Sequence, residues 1–296
     1  MPTFSIGNRT CVALALALIL APIAINARMV TDQTGRKVNV PQHPLRVISI
    51  APSVTETLYE MGLGDRLVGD TDYCDYPAQA KTLPHVGGML NPNLEMIVAL
   101  KPDLVLGTDE ANRRETADQL ERLGIPLYGV TAHTVDGTIK SLEDLGHILD
   151  WDQPTQKMVA GLRARVGAVD QQVQGKPRPK VLFVVWYRPL ITAGGKTFIS
   201  DVIQRAGGAS VSDDMKTEWP HMGLEDVLSR APDVILFPQT EAFEPGLDEF
   251  QKLPGWRDLD AVKNHRIHLV SETIMRPSPR LIDALEELTR ILHPER

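Results

Sequence analysis

One feature constrains the fold of this chain more than any other: a helix–strand unit that occurs twice, 130 residues apart. The first copy, NLEMIVALKPDLVLG, covers 93–107, and the second, GLEDVLSRAPDVILF, covers 223–237. In each copy a glutamate, Glu95 or Glu225, is followed seven residues later by a proline and then by an aliphatic run. Because a proline moves the preceding residue out of helical conformation, each copy predicts a short helix, a break and a buried strand. The chain therefore contains two related halves.

The rest of each half alternates short aliphatic strands with helices. RVISI at 46–50 and VLFVVW at 181–186 are typical of buried strands, and a helical pattern follows each of them. This alternation is typical of a parallel sheet covered by helices, with its functional loops at the carboxyl edge. The sequence predicts an α/β protein with two Rossmann-like lobes, and a cleft between lobes is where small ligands bind.

Helical periodicity continues between the two halves. Pro154, preceded by Asp152, predicts two abutting helices or a kink in this segment. The boundaries that follow are an N-terminal lobe at 28–133, a connecting helix at 134–174 and a C-terminal lobe at 175–296. Because a helical connection is stiff, we expect the lobes to rock only slightly about it.

The N-terminus has the order of a secretory signal. Arg9 precedes an apolar stretch at 11–25, and Ala27 supplies a small residue for cleavage. We predict a signal peptide at 1–27 and a mature chain that begins near Arg28 in the periplasm. A membrane anchor is the alternative, but the apolar stretch is shorter than the roughly 20 residues that a membrane span needs.

Charge, cysteine content and missing motifs exclude several functions. The net charge is −7, so a nucleic-acid partner, which needs a basic surface, is not expected. Of the two cysteines, Cys11 lies in the predicted signal, which leaves Cys74 without a disulfide partner. The motifs of serine hydrolases, dinucleotide-binding loops and H-E-x-x-H zinc enzymes do not occur in the sequence. We therefore predict a binding protein, with an α/β hydrolase as the enzymatic alternative.

Aromatic residues are few, at 5% of the chain, so their positions are informative. Tyr73 follows a predicted strand of the first half, Trp186 and Tyr187 end a strand of the second, and Trp219 precedes the second copy of the repeat. All four lie at the carboxyl end of a strand or in a loop that leads there. They predict a cleft that takes a large flat or hydrophobic ligand.

Three histidines, His85, His133 and His221, lie in predicted loops. Together with a carboxylate they could form a zinc or manganese site. We favour surface or loop roles for them and predict no metal site.

Two local patterns are interpreted as helix caps. Ser53 and Glu56 fit the S-x-x-E capping box of the first helix, and Ser278 precedes the last one. Arg276 and Arg280 flank that last cap. We interpret them as surface side chains, with a contact to an anion as the alternative.

Glu95 and Glu225 have two explanations. An acid in the first turn of a helix gains about 0.3–1 kcal/mol from the helix dipole. That effect does not require the same position in both halves. Two carboxylates on the rims of two lobes can instead grip two cations of a symmetric partner, where complementary charge fixes the docking register.

Three stretches carry a resemblance to a known family. They are RVISIAPSVTETLYEMGLGDRLVGDTDYCDYPAQAKTLPHVGGMLNPNLEMIVALKPDLVLGT, WPHMGLEDVLSRAPDVILF and RPSPRLIDALEELTRILHP. All three resemble the cobalamin/ferric-siderophore class of periplasmic substrate-binding proteins. The resemblance implies a class III periplasmic binding protein, whose two lobes are joined by a long helix. It implies that Glu95 and Glu225 dock onto arginines of a dimeric ABC permease in the inner membrane. We expect no catalysed reaction, no resident cofactor and a monomer.

Within this class the resemblance is strongest to the cobalamin-binding members. Tyr73 and Trp219 match aromatic residues that contact the ligand there, whereas Met89, Thr108 and Leu190 stand where an aromatic residue is expected. The ligand is therefore expected to be a corrinoid or an iron chelate, with a different corrinoid, haem or a ferric siderophore left open. The candidate axial ligands are Tyr73, Cys74, His85 and His221.

Overall fold

The computed structural model describes residues 27–239 and 252–294. The predicted signal peptide lies outside the described residues, except for Ala27, which is the first residue of an antiparallel hairpin. The hairpin consists of β1 (Ala27–Thr31) and β2 (Lys37–Pro41). In the part of the chain that is described, we find no helix with the length and hydropathy that crossing a bilayer requires.

The N-terminal lobe is built on a four-stranded sheet in the order β4-β3-β5-β6, with every pair parallel. Its strands are β3 (Val47–Ser49), β4 (Leu67–Gly69), β5 (Leu104–Thr108) and β6 (Leu127–Val130). Its helices are α1 (Pro52–Glu60), α2 (Leu94–Leu100) and α3 (Arg114–Arg122). The strands are aliphatic and almost wholly buried because helices cover both faces of a parallel sheet.

Two helices lead from this lobe to the next, α4 (Val135–Ile148) and α5 (Asp152–Val173). They abut at Asp150, whose left-handed φ of 53° interrupts the helical path. Pro154 falls in the first turn of α5, where its missing N–H costs no helical hydrogen bond. The predicted helical segment at 134–174 is thus two abutting helices.

The C-terminal lobe contains a five-stranded sheet with the path β11-β10-β7-β8, and β9 pairs with β7. Its strands are β7 (Lys180–Trp186), β8 (Ile191–Thr192), β9 (Ala209–Ser210), β10 (Val234–Pro238) and β11 (Ile267–Val270). The helices in its described residues are α6 (Phe198–Arg205), α7 (Leu224–Arg230), α8 (Asp260–Lys263) and α9 (Leu281–Leu292). Only β8 runs antiparallel to its neighbour among these pairs.

One apolar core extends through both lobes and the connecting helices. Smaller clusters fill the opposite face of each sheet, one under α2 and α3 and one under α7 and α8. Polar contacts also tie the connecting helices to the C-terminal lobe. The carboxylate of Asp201 accepts a hydrogen bond from the N–H of Val135 at 2.7 Å, and Arg165 donates to Glu286 at 2.8 Å.

The repeated unit folds in the same way in both lobes. Helices α2 and α7 are each seven residues long, and each ends at a left-handed residue with a φ of 49°, Lys101 in one lobe and Ala231 in the other. Residues 91–100 and 221–230 also show the same order of buried and exposed positions. The duplication seen in the sequence is therefore a duplication of structure.

The agreement extends to the start of each following strand. Asp103 accepts a hydrogen bond from the N–H of Arg46 at 2.8 Å, and Asp233 accepts one from the N–H of Lys180 at 2.7 Å. Each aspartate also donates its own N–H to the carbonyl of the same partner. In both lobes an aspartate thus fixes the register between the repeated strand and its central neighbour.

Candidate functional site

A cavity of about 690 Å³ lies between the two lobes. The N-terminal lobe lines it with Ala51, Pro52, Ser53, Asp72, Tyr73, Asp75, Met89, Leu90, Thr108, Glu110 and Ala111. The C-terminal lobe lines it with Val185, Phe198, Trp219, Met275, Arg276 and Pro277. Most of these residues end or follow β3, β4, β5, β7 and β11, while Phe198 begins α6 and Trp219 lies in the loop before α7. The cavity is therefore at the carboxyl edges of both sheets. That is the position where open α/β sheets bind ligands.

Large apolar side chains stay partly exposed in this cavity. Tyr73 is 57% exposed, Leu90 52% and Trp219 39%. Met275 and Phe198 complete an apolar lining from the second lobe. Apolar surface that is left open in a cleft of this volume is typical of a small-molecule site.

Four of the seven residues predicted to contact a ligand line the cavity: Tyr73, Met89, Thr108 and Trp219. Thr108 ends β5, and its hydroxyl oxygen accepts a hydrogen bond from the N–H of Ala111 at 3.1 Å. That bond shapes the turn that carries the next two cavity residues, Glu110 and Ala111.

The other three, Trp186, Tyr187 and Leu190, do not line it. Neighbouring residues of a strand point to opposite faces, and Val185 is the one that faces the cavity. The indole of Trp186 donates instead to the carbonyl of Arg188 at 2.8 Å. Tyr187 and Leu190 pack against the smaller core cluster of the C-terminal lobe.

A buried ionic cluster connects the lobes beside the cavity. The side chain of Glu56 is completely buried, and its carboxylate accepts hydrogen bonds from Arg276 at 2.7 Å and from Ser278 at 2.9 Å. Arg280 lies 3.3 Å from the same carboxylate. The predicted capping box is therefore wrong, because α1 begins without a side-chain cap and Glu56 is used across the lobe interface. The predicted cap of the last helix is also wrong, because α9 begins after Arg280 without a side-chain cap and Ser278 donates to Glu56.

The sequence suggested that Arg276 and Arg280 are surface side chains, and this interpretation is wrong. Their side chains are 21% and 19% exposed. The guanidinium of Arg280 also lies 3.5 Å from the ring centre of Tyr76, while Arg276 pairs with Asp75 at 2.5 Å on the cavity wall. Despite the opposing effect of burial, hydrogen bonds to Asp75 and Glu56 raise the pKa of Arg276.

A second ionisable cluster lies where Glu110 meets the cavity. His133 contacts Glu110 at 3.0 Å through Nδ1 and Asp109 at 2.9 Å through Nε2. Burial, followed by repulsion from Asp109 and from Glu218 on the other lobe, raises the pKa of Glu110 to about 7. Burial opposes charging of His133, but its hydrogen bond to Asp109 and the surrounding carboxylates raise its pKa.

The remaining candidate axial ligands lie outside the cavity lining. Cys74 is buried against the hydroxyls of Thr55 and Thr71, and this burial raises the pKa of its thiol. His85 contacts the buried carboxylate of Asp70 at 2.6 Å. His221 is exposed next to α7. Within the described ranges, no group of three or more histidine, cysteine, aspartate or glutamate side chains is arranged to hold a metal ion.

Comparison with known proteins identifies the family. The periplasmic binding protein family matches residues 47–272, which is most of the chain. The chain belongs to that family. It is 31% identical over 245 residues to the vitamin B12-binding protein of Vibrio campbellii, covering 82% of this chain and 87% of the relative.

Solved structures of family members superpose on both lobes. The vitamin B12-binding protein BtuF of Vibrio cholerae has a TM-score of 0.76 and 29% identity, over 84% of this chain and 96% of that protein. The haem-binding protein RhuT of Roseiflexus sp. RS-1 has a TM-score of 0.76 and 27% identity, over 83% and 97%. The fold is that of a class III periplasmic binding protein, and the chain is a substrate-binding protein of a transporter rather than an enzyme.

In this periplasmic binding protein Glu95 and Glu225 lie away from the cavity lining. Both are exposed in the first turn of their helices. One turn further along, the equivalent positions Val98 and Leu228 are 44% and 40% exposed. Each lobe thus presents a carboxylate beside an aliphatic side chain, in matching places.

Sequence reasoning missed Glu110 and gave Arg276 the wrong environment. A usable signal existed for Glu110, because Asp109 and Glu110 directly follow the buried strand β5 at the edge where the ligand loops lie. For Arg276 no local signal existed, since its partner Glu56 is 220 residues away in the sequence.

Proposed function

We propose that this protein captures a corrinoid-like ligand in the cleft between its lobes and delivers it to an ABC permease in the inner membrane. The observation that carries the proposal is the interlobe cavity, with Tyr73, Leu90 and Trp219 exposed inside it. A volume of about 690 Å³ lies in the range of roughly 300–1,000 Å³ typical of small-molecule sites. The names of relatives such as the Vibrio vitamin B12-binding proteins support a corrinoid as the ligand.

The axial chemistry also favours a corrinoid. Cobalamin carries its own axial ligands on cobalt, so its binding protein has to supply shape and hydrogen bonds rather than a metal ligand. Among the candidate axial ligands, Cys74, His85 and His221 do not line the cavity. Tyr73 does, and its phenol is the group through which haem or a ferric chelate could be held.

Haem is the second candidate ligand, and a ferric siderophore is a third in the same class. The haem-binding relative RhuT is as similar in fold as the cobalamin-binding one, which keeps haem in consideration. Both alternatives leave the transport role unchanged and alter only what occupies the cleft.

Calorimetric titration of the purified mature protein with cyanocobalamin, haemin and a ferric siderophore tests the ligand. We expect saturable binding of cyanocobalamin at one site per protein. Tight binding of haemin without cyanocobalamin binding would move the assignment to haem. Binding of none of the three would overturn the proposal of a corrinoid or iron-chelate ligand.

For delivery, we propose that the matched surfaces around Glu95 and Glu225 contact the two halves of a dimeric permease. Each glutamate sits at a helix N-terminus, where the dipole already favours an acid. The shared position in both lobes, with Val98 and Leu228 beside them, supports a role in docking on a symmetric partner. The predicted signal peptide at 1–27 supports a periplasmic location, where such a permease is accessible, and we expect the protein to act there as a monomer.

A further inference from the structure

We propose that Asp72 and Glu110 make the cleft select ligands with a neutral or cationic periphery rich in hydrogen-bond donors, and reject ligands with free carboxylates. The inference rests on the proposed function, because it concerns the ligand of the same cleft. A cleft with this preference distinguishes corrinoids, whose peripheral carboxyl groups are amidated, from haem, which carries two propionates.

The charge of the cavity wall is the first argument. Among the described residues that line it, Asp72, Asp75 and Glu110 are acidic and Arg276 is the one basic residue. Arg276 already forms ion pairs with two carboxylates, Glu56 at 2.7 Å and Asp75 at 2.5 Å. Asp72 and Glu110 have no arginine or lysine partner within the described part of the chain. The wall therefore offers a ligand two carboxylates and no spare guanidinium or ammonium.

The surroundings of Glu110 make this wall more negative. His133 is shared between Glu110 and Asp109, at 3.0 and 2.9 Å, so one imidazole serves two carboxylates. Glu218 precedes the cavity residue Trp219 on the opposite lobe, and its charge is close enough to raise the pKa of Glu110. A carboxylate of the other lobe thus adds to the negative charge around Glu110.

The consequence for a ligand depends on its periphery. An amide N–H that meets a carboxylate makes a charge-assisted hydrogen bond, which is about twice as strong as a neutral one. A ligand carboxylate in the same place is repelled, and one unit charge about 6 Å away under intermediate screening changes affinity about tenfold. A propionate also finds no free cation on this wall among the described residues.

The test compares ligands that differ by one charge. Cyanocobalamin and each of its monocarboxylic acids, in which one peripheral amide is hydrolysed, are titrated calorimetrically at pH 8. At that pH Glu110 is mainly ionised, since its pKa is about 7. The titrations are repeated with Glu110→Gln and Asp72→Asn, which keep side-chain shape, and with the control Glu115→Gln, an exposed acid on α3.

We expect at least one monocarboxylic acid to bind the wild-type protein about tenfold more weakly than cyanocobalamin. Glu110→Gln or Asp72→Asn should narrow that difference at least threefold, and Glu115→Gln should leave it unchanged. Equal affinity of the wild type for all these ligands, or a difference that neither cleft variant alters, would overturn the selection. Failure of cyanocobalamin itself to bind would instead overturn the corrinoid assignment, so the two failures are told apart by the parent ligand.

Discussion

The carboxylate of Glu56 on α1 contacts the guanidinium of Arg276 at 2.7 Å, although 220 residues separate them in the sequence. Glu56 belongs to the first lobe and Arg276 to the segment that follows the last strand of the second. The pair therefore joins the lobes directly, beside the cavity. Because Glu56 is completely buried, its charge depends on Arg276, Ser278 and Arg280 for compensation.

Removal of the Glu56 carboxylate should destabilise the protein strongly. In Glu56→Ala the two arginines lose a buried partner, and breaking a buried ion pair in this way costs about 3–5 kcal/mol. Urea unfolding, followed by circular dichroism, measures the change in the free energy of unfolding. The control is Glu143→Ala, which breaks the exposed pair with Arg163 and should cost less than about 1 kcal/mol. A loss below about 1 kcal/mol for Glu56→Ala would contradict the described role of this cluster.

Replacement of Trp219 should weaken ligand binding. Trp219 lines the cavity with 39% of its surface exposed, so Trp219→Ala removes apolar contact area and should lower affinity roughly ten- to hundredfold. Trp186 is a matched control because it is similarly exposed, at 48%, yet lies outside the cavity lining. Calorimetry should show no more than a twofold change for Trp186→Ala. Equal effects of the two substitutions would argue against this cavity as the ligand site.

The double variant Glu95→Ala with Glu225→Ala should separate binding from delivery. Neither residue lines the cavity, so ligand affinity should stay within about twofold of wild type. Transport by the cognate permease, reconstituted in proteoliposomes, should fall at least tenfold because both docking charges are lost. Glu115→Ala, which removes an exposed acid from the first turn of α3, should leave transport unchanged. Normal transport by the double variant would rule out the docking role.

Asp70 should make stability depend on pH. Burial raises the pKa of Asp70 from its usual 3.8 to about 6, although His85 partly opposes this, and its second carboxylate oxygen is buried without a hydrogen-bond partner among the described residues. The folded state therefore holds this proton more tightly than the unfolded state. The stabilisation that comes from this bound proton is fully present below pH 3.8 and is lost as pH rises through about 6. The free energy of unfolding falls by about 3 kcal/mol at most over this range.

Comparison with Asp70→Asn isolates this effect. The variant cannot ionise, so its free energy of unfolding should rise relative to wild type between pH 4 and pH 7, by up to about 3 kcal/mol. Urea unfolding at closely spaced pH values measures the difference. Parallel profiles of the two proteins would show that Asp70 does not titrate in this range.

The fold was largely predictable because its signals are local. Aliphatic strands that alternate with amphipathic helices indicate a parallel α/β sheet, and the repeat around Glu95 and Glu225 indicates two such units. The left-handed residues Lys101 and Ala231 show why a helix and strand can follow each other so closely in both copies. The break at Asp150 could be foreseen only to within a few residues, because helix ends depend on packing as well as on proline position.

The site was predictable only in part, since its details depend on side-chain direction and distant partners. Trp186 was correctly placed at the carboxyl end of a strand, but the alternation of β7 turns Val185 rather than Trp186 into the cavity. Ser53 and Glu56 fit a local capping pattern, and the competing partner Arg276 lies too far along the chain for any pattern to reveal. Tertiary contacts decided between two chemically acceptable uses of the same glutamate.

Arg276 belongs both to the ionic cluster that joins the lobes and to the wall of the cavity. A ligand that alters its contact with Asp75 also alters the strength with which Glu56 is held. If a ligand changes the free energy that holds the lobes together, thermodynamic reciprocity applies. An interaction that separates the lobes then changes ligand affinity by the same factor. One side chain therefore links the wall of the cleft directly to the junction of the two lobes.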